Sequence, residues 1–191
     1  MSLVQTAAPA VEPITLADAK AHLRIDGTAE DAFIASLITT SRLQIEAALG
    51  LCLITQALKW TLDAWPDRRE IALPLRPVRS IDAIEVKDAG GTPLVVAPTL
   101  YHVDGAANPA RIVATAPPLP VPGVVAEGIE IRFTAGFGAT PADTPAPIRQ
   151  ALLMLVAHWF ENREPVSIGA QPSSIPETVS SLLAPYRQVR L

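Results

Sequence analysis

The chain has 191 residues, of which 49% are apolar and 18% charged, with a formal net charge of −4. That size holds one substantial domain, or a small core with an inserted module, and the composition is that of a globular chain. The mild acidity lacks the basic footprint of a nucleic-acid binder, and the single cysteine, Cys52, excludes an intrachain disulfide or a thiol-based zinc cluster.

Residues 1–13, with Pro9 and Pro13, read as a flexible N-terminal arm. They carry no basic region and no signal-length apolar run, so the chain reads as cytosolic when made. Thr15 opens a helix with Asp18 in capping-box position, running to about Arg24 and stopping at Asp26-Gly27. Thr28 is the expected cap of a second helix, with Glu30 and Asp31 in its first turn. Its apolar positions Ile34, Leu37, Ile38, Ile45, Ala48 and Leu49 keep helical spacing, and Gly50 is suited to follow its end.

From Ile54 to Gly136 the period becomes two. Leu58, Trp60 and Leu62 alternate with polar residues, and Asp88-Ala89-Gly90-Gly91-Thr92 turns a hairpin over 79–96. Shorter strands are expected at 70–73, 100–103 and 110–114. Ile129, Ile131 and Phe133 mark the clearest strand, and eight of the nineteen prolines, lying between 109 and 147, limit strand length.

Residues 146–163 predict a helix apolar nearly all round, from Ile148 to Arg163, which requires other protein to wrap it. Its apolar run, 151–160, is about half a membrane span, which argues against a membrane role. Two short helices and a tail are all the chain offers as wrapping, so the expectation is a scaffold whose surface is finished by neighbours. Ser174-Ile175-Pro176-Glu177 reads as a capping box for a short helix ending near Pro185. The last residues hold Arg187 and Arg190 and no acid. They are either a frayed terminus or a docking peptide, and the cost of leaving Leu182, Leu183, Tyr186, Val189 and Leu191 in water favours docking.

The order helix–helix, all-β, helix–helix gives an α+β fold. A small helical core (14–53 and 144–164) carries an inserted antiparallel β domain (54–143) and an extended C-terminal segment (165–191). A search for chemistry finds little. His158 and Glu161 share a helix face but lack further metal ligands. Gly136-Phe137-Gly138 is not followed by a phosphate-binding Gly-Lys-Ser/Thr, and no nucleophile elbow is present. No catalytic residue, cofactor or metal is predicted.

Three blocks carry a resemblance. The first is Ile14-Thr15-Leu16-Ala17-Asp18-Ala19-Lys20-Ala21-His22-Leu23-Arg24-Ile25, followed by Glu30-Asp31 and Glu46. The second joins Leu73-Pro74-Leu75-Arg76-Pro77-Val78 to Tyr101-His102-Val103-Asp104. The third is Ala135-Gly136-Phe137-Gly138 with Pro147-Ile148 and His158-Trp159-Phe160-Glu161-Asn162-Arg163-Glu164. In order and spacing, residues 13–166 resemble the head–tail connector (adaptor) proteins of tailed bacteriophages and gene transfer agents.

The resemblance implies a non-enzymatic structural ring, usually of twelve copies, that joins the capsid portal to the tail and extends the DNA channel. The implied partners are the portal protein, neighbouring copies and the next tail-side ring, such as a stopper or tail terminator. The implied location is the head–tail junction of a particle assembled from protein made in the bacterial cytoplasm. Twelve copies at −4 each carry about −48, so DNA is expected to pass without specific binding, since each neutralised phosphate adds affinity. A ring contact joins two different surfaces; Leu37, Arg42, Glu46, Arg149, His158, Trp159 and Arg163 are the expected subunit interface, aided by a β-edge. Leu182, Leu183, Tyr186, Arg187, Val189, Arg190 and Leu191 are the expected portal contacts, and removal of 174–191 is expected to leave the fold intact. The alternative is a small binding module outside any virion, using its β domain to hold a protein or sugar ligand; an enzyme with a scattered site is a third reading.

Overall fold

Alternation of apolar and polar residues builds one half of the molecule, and 3.6-residue periodicity the other. The structure is a computed structural model describing residues 1–66, 68–115, 119–162 and 176–188. The chain divides into two units: Met1–Pro9 with Thr55–Gly136, and Ala10–Ile54 with Phe137–Leu191.

The first unit is β. Its strands are β1 (Ser2–Ala7), β2 (Gln56–Leu62), β3 (Glu70–Ala72), β4 (Val78–Lys87), β5 (Pro93–Val95), β6 (Tyr101–Asp104), β7 (Arg111–Ala114) and β8 (Ile129–Ala135). They form a five-stranded antiparallel sheet, β1-β2-β8-β4-β5, and a three-stranded one, β3-β7-β6. The last strand is central because its alternation is the cleanest: Ile129, Ile131 and Phe133 are fully buried. On the opposite face Arg132 pairs with Glu85, and Lys59 lies 3.6 Å from Glu130. These pairs offset the juxtaposition of Glu85 and Glu130, which stand directly opposite each other in register. The predicted hairpin forms with Asp88 N–H donating to Thr92 O at 2.9 Å and Gly91 at φ +82°.

The expected flexible arm is instead β1. Ser2–Gln5 pair in register with Thr61–Leu58, so the segment supplies backbone partners to an edge that β2 would otherwise leave open. Six small or uncharged residues carry no period strong enough to announce this.

The second unit is helical: α1 (Leu16–Leu23), α2 (Asp31–Leu49), α3 (Ala146–Glu161) and α4 (Glu177–Leu183). Thr15 caps α1 as predicted, with Asp18 N–H donating to Thr15 Oγ1 at 3.0 Å and Thr15 N–H to Asp18 Oδ2 at 3.1 Å. Thr28 does not cap α2. The helix starts at Asp31 after Glu30, because Gly27 (φ +82°) and a turn closed by Asp31 N–H on Thr28 O occupy those residues. Gly50 ends α2 in the left-handed region at φ 63°. Pro176, with no side-chain cap, precedes α4, and Ser174 lies outside the described residues.

The core of this unit joins Ile34, Ile38 and Ile45 of α2 to Ile148, Leu152 and Leu155 of α3, with Val179 and Leu183 of α4 closing it. Burying each such side chain contributes roughly 1.5–3 kcal/mol. The expectation that α3 needs neighbouring molecules to cover it is therefore corrected. Its large apolar residues are buried or half-buried within the chain, and Val179 and Leu183 of α4, in the segment expected to dock on a partner, supply part of that cover.

Candidate assembly surfaces

The residues predicted to meet other subunits separate into inner and outer sets. Arg42 and Glu46 are inside, 6% and 8% exposed. Arg42 Nε donates to Glu12 Oε2 at 2.7 Å, Arg42 Nη1 donates to Glu46 Oε2 at 2.8 Å, and Leu53 N–H donates to Glu46 Oε1 at 2.7 Å. Charges satisfied so completely belong to the subunit's own frame, which corrects their assignment to the interface. Leu37, Trp159 and His158 are half-buried, the first two against the helical core. His158 Nδ1 lies 3.5 Å from Asn162 Nδ2. Arg163 lies outside the described residues.

Arg149 is half-buried and lines an open groove of about 440 Å³ with Ile14, Asp18, His22, Gln150 and Leu153. The Asp18 carboxyl is held below its ordinary value by the side-chain and backbone hydrogen bonds of Thr15, with a smaller contribution from the charge of Arg149. The capping box and the groove thus share one carboxylate.

The C-terminal contacts also divide. Leu183 is 4% exposed, and Leu182 and Tyr186 are packed against the same helical core, so these three anchor the segment to its own subunit. Arg187 is exposed. Val189, Arg190 and Leu191 lie outside the described residues.

Exposed apolar side chains occur elsewhere. Leu43 projects from α2 at 54% exposure. In the β unit, Leu3 and Val4 of β1, Leu94 and Val95 of β5, and Val121 and Val125 of the loop before β8 are all exposed. Leu43 lies off the apolar stripe of α2, a signal available in the sequence. Among the described residues no group of three or more His, Cys, Asp and Glu side chains is placed to hold a metal ion, and no helix is long and apolar enough to cross a membrane.

The chain is similar along its whole length to chains of known particles. One belongs to the neck of an empty gene transfer agent particle computed with C6 symmetry: 30% identity, TM-score 0.85, covering 100% of this chain and 97% of that one. Another belongs to the virion of a native gene transfer agent particle, at 29% identity and TM-score 0.83, with the same coverage. A third comes from the neck of a native particle computed with C12 symmetry, at 29% identity and TM-score 0.81, again covering 100% and 97%. No curated protein matches the chain. The sequence model described as head completion protein matches residues 12–189. That match takes in the four helices and every strand but β1, and the chain belongs to the head completion protein family.

Proposed function

We propose that this protein is a structural connector subunit: copies form a ring that joins the portal to the tail and extends the DNA channel. The observation that carries the reading is mutual coverage, since 100% of this chain aligns with 97% of a chain from a gene transfer agent neck. A neck computed with C12 symmetry supports a cyclic assembly of about the copy number that the sequence resemblance implies.

In this reading α4 anchors the C-terminal segment through Val179 and Leu183, and the residues from Arg187 onward carry the portal contact. The outer surface of α2 around Leu43, with half-buried Leu37 and Trp159, meets the neighbouring copy. A net charge of −4 per copy leaves duplex DNA weakly held, so it slides through the ring. The next ring on the tail side stacks on the free end, and the subunit enters the particle after synthesis in the bacterial cytoplasm.

Native mass spectrometry of the full chain with its portal protein tests this. A portal complex bearing a cyclic set of chains is expected; a chain that remains monomeric and unbound beside the portal would overturn it.

A further inference from the structure

The five-stranded sheet ends in two edges, β1 and β5. An edge strand presents unpaired N–H and C=O groups, and proteins usually blunt it with shortness, charge, proline, a bulge or a covering element. Over Ser2–Gln5, β1 has none of these; its register slips only between Gln5 and Ala7. The whole strand is exposed, with Leu3 at 40% and Val4 at 49%. On the other edge, β5 is three residues long and opens with Pro93, but it is also uncharged and exposes Leu94 at 55% and Val95 at 70%. The edges of the three-stranded sheet differ. There β3 carries Glu70 and β6 carries Asp104, and Arg111 of the strand between them pairs with both at 2.6 and 3.0 Å. Charge guards one sheet and is missing from both edges of the other.

Direction matters as much as composition. Each neighbouring pair in the larger sheet is antiparallel, so β1 and β5, four steps apart, run the same way. A cyclic contact must join two different surfaces related by rotation. Two unlike edges at opposite ends of one sheet satisfy that requirement, and the similar chains come from necks computed with C6 and C12 symmetry.

We infer that the β5 edge of one copy adds in parallel to the β1 edge of the next, linking the sheets of neighbouring subunits around the ring. Main-chain hydrogen bonds supply the affinity, and the exposed Leu3, Val4, Leu94 and Val95 side chains are covered as the strands meet. The inference rests on the ring proposed above. A contact between two β1 strands is the competing geometry; being isologous, it closes a dimer and propagates no further.

Disulfide trapping tests this in the full chain assembled with its portal. Val95→Cys is combined in turn with Leu3→Cys, Val4→Cys and Gln5→Cys, and the assemblies are oxidised. Paired strands about 4.8 Å apart bring such cysteines within bridging range, and native Cys52 is buried. At least one pair should give a ladder of covalent oligomers extending beyond the dimer, while each single variant gives none. Intact rings by native mass spectrometry without a ladder from any pair would overturn the strand pairing and leave the ring standing. A dimer from Val4→Cys alone would overturn it in favour of two β1 strands meeting. Chains that stay monomeric beside the portal would overturn the ring and the pairing together.

Discussion

Arg42 and Glu46 stand one helical turn apart on α2, joined by a 2.8 Å hydrogen bond from Nη1 to Oε2. The same guanidinium reaches Glu12, and the second oxygen of Glu46 accepts from Leu53 N–H. One buried pair therefore ties together the segment before α1, the middle of α2 and the segment after it. Burial pushes the Glu46 carboxyl above its ordinary value despite hydrogen bonds from Leu53 and Arg42. Burial also lowers the Arg42 guanidinium, but the hydrogen bond to Glu12 and the charges of Glu46 and Glu12 outweigh it and leave the value raised.

Glu46→Ala should cost about 3 kcal/mol in urea unfolding, because it leaves Arg42 and the Leu53 amide short of a buried partner. The sign of the pH effect follows from the raised value of Glu46. Its contribution is fully present below the unfolded value of about 4.3 and is lost as pH rises through the higher folded value. Urea midpoints of Glu46→Gln should therefore fall less than those of the native chain between pH 4.5 and 7. An equal fall in both would remove Glu46 from the account.

Thr15→Ala should destabilise the helical unit by about 1 kcal/mol, the usual worth of an N-cap hydroxyl. Asp18 titrates in the opposite sense to Glu46. Its folded value is depressed, so its contribution is present above about pH 3.9 and lost as pH falls through the folded value. The aspartate is largely exposed, so the effect is small. Melting temperatures between pH 5 and 2.5 should fall less steeply for Asp18→Asn than for the native chain.

Leu183→Ala should lower stability by about 2–5 kcal/mol, since the side chain is 4% exposed within the helical core. Removing residues 176–191 should destabilise the unit further, measurable as a lower thermal midpoint. This reverses the expectation that the tail can be cut away without harm. A truncated chain melting with the native one would restore the freely docking peptide.

Leu43→Lys should change monomer stability by less than about 0.5 kcal/mol, as exposed substitutions do, yet reduce the ring fraction in native mass spectra. A loss of folding equal to the loss of rings would instead make Leu43 a packing residue.

The elements with strong periodicity are legible in the sequence. Ile129, Ile131 and Phe133 announce β8, Thr15 with Asp18 announces α1, and the glycines at 90 and 91 announce the hairpin. Three features were hidden for physical reasons. β1 has weak alternation, and what makes it a strand is the edge of β2, some fifty residues away in the chain. The burial of Arg42 depends on Glu12, thirty residues distant, which no local pattern on α2 can reveal. The apolar residues of the tail signal burial without saying against what, and Val179 and Leu183 found their partners inside the same chain. With α3 covered inside its own chain, the family match and the exposed edges and side chains are what point to assembly.

The most direct measurement is a reconstruction of the head–tail vertex in particles that contain this protein. The account predicts an annulus of copies between portal and tail, each fitted by this α+β subunit along its whole length. A vertex in which portal and tail meet with no such density, or with the chain located elsewhere in the particle, would contradict it.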